Sequence, residues 1–282
     1  MGLTPKLRSG LLTTLVLAAV ALSADAAQTV RGLTIITSHR HRPIVIHHVH
    51  DTTIGSYNWS GYAVTAATGA VTAVKGSWVV PAVQPGSCLS GTKNEYASFW
   101  VGMDGFTSNT VEQTGTDSDC QNGVPTYYAW FEFYPHPAFM VNSMSIRPGD
   151  VMEAEVQYSP ATRRFTVTIN DLTTGQSFST STKVNSAQRS SAEWIAEAPS
   201  GSGGILPLAD FGTAVYGVDN TGVAGTSEAT VSGTTAPVGL FGSNVYQINM
   251  VSSSNPNVSK AVPSSLSSDG SSFSDVWVSS GP

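Results

Sequence analysis

Charge is scarce in this chain. Asp, Glu, Lys and Arg make up 11% of its 282 residues, against about 25% in an ordinary globular protein. Few titrating groups mean little charge repulsion as pH falls, which suits an acidic medium. Histidine is scarcer still where catalysis would want it. Of the six histidines, only His136 lies beyond residue 52, between the prolines of "YPHPAF". A Ser-His-Asp or Cys-His site would have to use it, and no G-x-S-x-G occurs. Zinc catalysis usually takes two or three His ligands, and no H-E-x-x-H is present. Neither D-T-G nor D-S-G appears, so a pepsin-like pair of aspartates has no support. Phosphate-loop and dinucleotide fingerprints are missing too. No metal and no cofactor is expected. An enzyme built from this chain would work with carboxylates, amides and aromatic rings. The formal net charge of −6 gives no support for nucleic-acid binding.

Long hydrophobic runs are missing as well. The run from Leu11 to Leu22 is short of the ~20 residues that a membrane helix needs. Lys6 and Arg8 precede it and Ala24-Asp25-Ala26 follows. That is a signal-peptide pattern with cleavage after Ala26, so secretion is expected, with no membrane attachment once the signal is removed. Cysteine stops at two, Cys88 and Cys120. In an exported chain an even count suggests a disulfide.

Residues 27–55 concentrate what the rest has little of: Arg31, Arg40 and Arg42, with His39, His41, His47, His48 and His50, against Asp51 as the only acid. Beyond Asp51 the chain has 8 Lys and Arg against 17 Asp and Glu. A basic arm therefore precedes an acidic body at 56–282. Two readings fit the arm: a His-rich, metal-scavenging tail, or a pro-segment that covers the body. The second predicts strongest attraction between about pH 4 and 6.5, where the arm is cationic and the carboxylates are still ionised.

The body reads as strands. "GSWVVPAV", "ASFWVGMDG", "YYAWFEFYP", "VMEAEVQYS", "FTVTIN", "AEWIAEAP" and "NVYQINMVS" are short and often alternate, with Gly, Pro, Asn and Asp turns between them. This predicts an all-β fold, an antiparallel β-sandwich or barrel, in one domain. Alternation then assigns faces. In "YYAWFEFYP", Tyr128, Trp130, Glu132 and Tyr134 share one face, and Ala129, Phe131 and Phe133 the other, apolar one. In "SFWVGMDG", Trp100, Gly102 and Asp104 oppose Phe99, Val101 and Met103. In "AEWIAE", Glu193, Ile195 and Glu197 oppose Trp194 and Ala196. Rings around a carboxylate suit a ligand groove as well as they suit a solvated sheet face.

Taken in order, "NWSGY", "GSWVVP", "WVGMDG", "VEQTG", "AWFEFYP", "LTTGQ", "AEWIAE" and "LADFGTAVY" resemble the glutamic peptidases, the eqolisin or G1 family of acid endopeptidases. The resemblance spans Asn58 to about Gly217. It implies an antiparallel β-sandwich of two large packed sheets, concanavalin-like, made with a signal peptide and a removable pro-segment and acting on protein or peptide substrates; a monomer is expected. It places the catalytic pair on Gln113 and Glu197, with groove residues Trp100, Asp104, Trp130, Glu132 and Tyr134. Two positions depart from the family pattern. Tyr128 stands where many members carry Asp, and Glu112 where many carry an aliphatic residue. Two rivals remain: a sandwich glycosidase using Glu132 and Glu197, and a secreted module that binds sugars or peptides without turnover.

Overall fold

The structure is a computed structural model that describes Met1, residues 29–30, 32–91 and 93–281. Apart from Met1, the signal segment expected over 1–26 lies outside the described residues.

Period-two patterning sorts the side chains as the sequence indicates. Five strands carry the site: β1 (Trp59–Thr65), β2 (Ser98–Met103), β3 (Val111–Gln121), β4 (Val124–Tyr134) and β5 (Ser191–Glu197). They lie antiparallel in the order β4-β3-β2-β5-β1, followed by the strand Val245–Val251. A second layer runs Gln176–Thr182, Arg164–Asp171, Val151–Ser159 and Val71–Val79. Thr213–Tyr216 and Glu228–Val231 pair with opposite ends of Val71–Val79. Val245–Val251 connects through Ser259–Pro263 and Phe273–Trp277 to Thr213–Tyr216. The two layers of this β-sandwich are thus joined along one side by continuous backbone bonding.

The main core sits between the layers. Phe99, Val101, Met103, Ala129, Phe131, Phe133, Trp194 and Ala196 meet Val74, Trp78, Met152, Val156, Phe165 and Ile169 there. Each large side chain so buried stabilises the fold by about 1.5–3 kcal/mol. The other face of the first layer carries a second cluster built on Trp59, Trp100, Tyr128, Trp130 and Ile195. Ile36 and Ile54, which precede the body's first strand, complete it.

Turn chemistry fixes the register of β3 and β4. Asn122 (φ 54°) and Gly123 (φ 78°) form the two-residue connection, where Asn-Gly tolerates positive φ and matches strand twist. Gln121 then faces Val124, and counting back along both strands sets Gln113 opposite Glu132. Near this turn Cys88 and Cys120 are bonded, S–S 2.00 Å. Gly102 has a packing role: a Cβ there would come within 2.7 Å of the Trp100 ring, so glycine lets the indole lie along the sheet.

Residues 32–56 run across the second cluster. Leu33–Ile35 pairs with Phe139–Val141, Arg40 with Ser200, and Thr53–Ser56 lies parallel along Val245–Val251. The arm's histidines divide. His39 and His41 are buried, while His47, His48 and His50 stand exposed on the strand Ile46–His50. The apolar residues of the arm explain the split, because Ile36 and Ile44 join the second cluster and carry the intervening chain inward.

Candidate active site

Three strand pairings bring the acidic and amide groups together. β3 and β4 set Gln113 beside Glu132, β2 lies next to β3 and contributes Trp100, and β5 adds Glu197 opposite Ser98. Gln113, Glu132, Glu197, Trp100 and Trp130 are all fully buried. Gln113 Nε2 donates to Glu132 Oε2 at 3.0 Å and to the His41 carbonyl at 2.9 Å. An amide nitrogen has two protons, so both are used, and Glu132 thereby fixes which end of the amide faces the arm. Glu197 accepts from Trp100 Nε1 through Oε2 at 2.9 Å, and from the Arg42 backbone N–H through Oε1 at 3.2 Å.

One short stretch of the arm therefore lies between the two side chains. The His41 imidazole stacks on Trp130, with ring centroids 3.7 Å apart and planes 4° from parallel. Arg40 exchanges backbone bonds with Ser200, 2.9 Å each way. The Arg42 carbonyl accepts from Trp59 Nε1 at 3.0 Å. Asn58 Nδ2 reaches the Pro43 carbonyl at 3.1 Å. Beside this stretch opens a pocket of about 390 Å³, lined among others by Ser38, Arg42, Ser200 and Gly201.

Burial governs the electrostatics. It raises Glu197 well above the usual carboxylate range, and the neighbouring Glu132 adds to this. The bonds from Trp100 and Arg42 pull the other way but do not prevail. Burial also raises Glu132, against hydrogen bonds from the His41 backbone and Gln113. The same cause pushes His41 down to about 3. Its Nδ1 stands 3.5 Å from Glu197 Oε2, so this is a neutral ring near a carboxyl and not an ion pair.

A second polar group lies on the same face. His39 Nε2 is 2.9 Å from Asp117 Oδ2. The Tyr128 hydroxyl reaches Asp117 Oδ2 at 2.8 Å and Asp119 Oδ2 at 2.9 Å. Burial alone would lower His39, but the bond to Asp117 and its charge overcome this and raise it. Burial opposes ionisation of Asp117, yet the facing histidines lower its pKa. Since His41 is neutral, we assign that effect to His39. Asp119, buried beside Asp117, is raised to about 7. Tyr128 thus supplies the hydroxyl that two adjacent acids share, at the position where the sequence departs from the family pattern.

Asp104 differs from expectation. Its carboxylate accepts the backbone N–H groups of Gln188, Arg189 and Ser190 at 2.7–2.9 Å. It fastens the turn that leads into β5 and makes no hydrogen bond with Gln113 or Glu197. Glu112 points away from Gln113, as alternation requires, and is buried; burial first, then Asp104, raises its pKa. Tyr134 is partly buried at the edge of the second cluster. Sequence reasoning passed over Asp117 and Asp119, although counting by twos from Gln113 along β3 reaches both. It also did not place His39 and His41, whose position depends on packing and not on any motif.

Comparison with known proteins supplies an independent measure. The model of the peptidase A4 family matches residues 57–268. Aspergillopepsin-2 of Aspergillus niger is 33% identical over 198 residues, 62% of this chain and 69% of that protein. Scytalidopepsin B of Scytalidium lignicola is 36% identical over 122 residues, 42% of this chain and 43% of that one. Among solved structures, scytalido-glutamic peptidase with a transition state analog inhibitor superposes with a TM-score of 0.61 at 24% identity. That match covers 79% of this chain and 98% of the other. Aspergilloglutamic peptidase from Aspergillus niger gives 0.55 at 26% identity, over 65% and 99%.

Proposed function

Because the chain belongs to the peptidase A4 family and is a glutamic-type endopeptidase, we propose that Glu197 and Gln113 carry out its peptide hydrolysis. The observation that supports this pair is their convergence on one peptide group. Gln113 donates to the carbonyl of His41, and Glu197 faces the amide nitrogen of the next residue. Those are the two atoms whose charge changes when an amide is cleaved.

In this mechanism ionised Glu197 takes a proton from water as the water oxygen attacks the carbonyl carbon. The oxygen that becomes negative is held by the Gln113 N–H, already aimed by Glu132 and needing no reorientation. Glu197 then gives its proton to the departing nitrogen. Trp100 steadies the carboxyl throughout. The groove walls, Trp130 and Tyr134 among them, favour extended segments with apolar or ring-bearing side chains. When the arm leaves, water reaches Glu197 and returns it toward the ordinary carboxylate range. Activity is then expected in acid, around pH ~3–5.

Family membership sets aside the glycosidase and binding-module readings. On the same reading, residues 1–26 direct secretion, the arm within 27–55 is a pro-segment that occupies the cleft, and the mature enzyme acts as a monomer. Digestion of denatured casein across pH 2–7 tests the catalytic pair. Gln113→Ala should lose about 10²–10³ in rate, as for other single oxyanion donors, and Glu197→Gln should be close to inactive. A Glu197→Gln protein that digests casein at near wild-type rate would overturn the assignment.

A further inference from the structure

We infer that the His41–Arg42 peptide bond is the enzyme's own first substrate, cut within the molecule to begin clearing the cleft. The inference rests on the catalytic roles proposed above for Gln113 and Glu197. An arm that merely blocked the site could cross it in either direction and in any register. It could equally plug the site with a side chain. Here a backbone peptide lies between the two groups, with its polar atoms matched to their roles. The His41 oxygen accepts from the oxyanion donor, and the Arg42 nitrogen faces the proton carrier.

The flanking residues are held as a bound segment would be. On the N-terminal side, Arg40 pairs with Ser200 through its backbone in both directions, the strand-addition mode of peptide binding. The His41 ring lies flat on Trp130, and His39 pairs with buried Asp117. On the C-terminal side, Trp59 holds the Arg42 carbonyl and Asn58 the Pro43 carbonyl. The bond is thus gripped from both sides, which removes most of the orientational cost of reaction.

The chemistry balances with one water consumed. Water that reaches the site returns Glu197 toward the ordinary carboxylate range, and in its ionised form Glu197 takes a proton from the water whose oxygen bonds to the His41 carbonyl carbon. The C–N bond to Arg42 then breaks, and the nitrogen takes the proton from Glu197. A carboxylate remains on His41 and an amine on Arg42. The new carboxylate arises in a fully buried site whose Asp117 is already ionised, and burial disfavours a further charge there. Cleavage therefore turns a well-held segment into a poorly held one. The piece ending at His41 keeps the pairing of Leu33–Ile35 with Phe139–Val141 and the contacts of His39, Arg40 and the His41 ring, but it is no longer joined to the body by the chain. The piece beginning at Arg42 stays tied to the body, because Thr53–Ser56 is paired along Val245–Val251. The first cut thus falls well before residue 55, where composition alone places the end of the arm.

The test is to purify the full chain near neutral pH, bring it to pH 4, and follow intact mass and new N-termini with time. The first new N-terminus should be Arg42, and Glu197→Gln should slow its appearance by about 10²–10⁴-fold. As a second arm, a synthetic peptide of residues 34–46 is offered to matured wild type, which should cut it between His41 and Arg42. Suppose wild type digests casein through Glu197, but the first N-terminus lies elsewhere and the peptide stays whole at that bond. The inference then fails while the peptidase roles stand. Appearance of Arg42 at the same rate in Glu197→Gln also overturns it. If wild type cuts neither casein nor its own arm, the proposed roles and the inference fall together.

Discussion

Replacing Asp275 by Asn should make the folding stability of this protein less dependent on pH. Asp275 is fully buried. One of its oxygens accepts from Ser60 Oγ at 2.9 Å, and the other has no protein partner among the described residues. Burial carries its pKa from 3.8 to about 8. Below about pH 4 the carboxyl is protonated both folded and unfolded, and its contribution is fully present. Between there and pH 8 the unfolded chain releases the proton while the folded one keeps it, so stability declines. Each tenfold change in proton affinity is worth ~1.4 kcal/mol, which sets a ceiling of roughly 6 kcal/mol over that interval. Water reaching the group during fluctuations lowers this, and a loss of about 2–4 kcal/mol is expected. Asn cannot ionise. It brings amide protons with no acceptor at hand, costing about 1 kcal/mol in acid, but it escapes the decline. Urea unfolding at pH 4, 6 and 8, on Glu197→Gln protein to prevent self-digestion, should show the variant less stable at pH 4 and more stable at pH 8. A stability difference that stays constant over this range would refute the argument.

Removing the bond between Cys88 and Cys120, which are 32 residues apart, with Cys88→Ser and Cys120→Ser together should cost roughly 3–4 kcal/mol in the chain-entropy picture; calorimetry with and without reductant measures it. His39→Gln should loosen the docked arm selectively. His39 is raised and Asp117 lowered, so the pair is ionised between those two values and weakens as pH falls through the lower or rises through the higher. Asp119, Tyr128 and neutral His41 also face it. Hydrogen exchange of residues 36–44 in a Glu197→Gln background should show a pH window of protection that His39→Gln flattens.

Face assignment was legible in the sequence because it needs only alternation. Phe99, Phe131 and Trp194 lie in the main core and Trp100, Trp130 and Ile195 opposite, as period two demands. The contact between Gln113 and Glu132 was legible in principle, since the Asn122-Gly123 turn fixes which residues face each other across β3 and β4. Asp104 was less so. Its left-handed backbone (φ 74°) at the end of β2 breaks the alternation that would have kept it on the Trp100 face. The course of the arm was not legible at all. Composition gives its charge, but its path follows from where Ile36 and Ile44 find apolar cover and where Arg40 finds an unpaired backbone at Ser200.

The covalent link between the arm and Trp59 has a further effect, on competition. A segment joined by a short stretch of chain presents itself to its own cleft at an effective concentration of about millimolar or above, however thinly the molecules are spread. Free polypeptide in the surroundings is usually far more dilute. Abundant free polypeptide alone therefore cannot pry the cleft open, and dilution does not open it either. Only a change in the contacts that hold the arm, or in the arm itself, can.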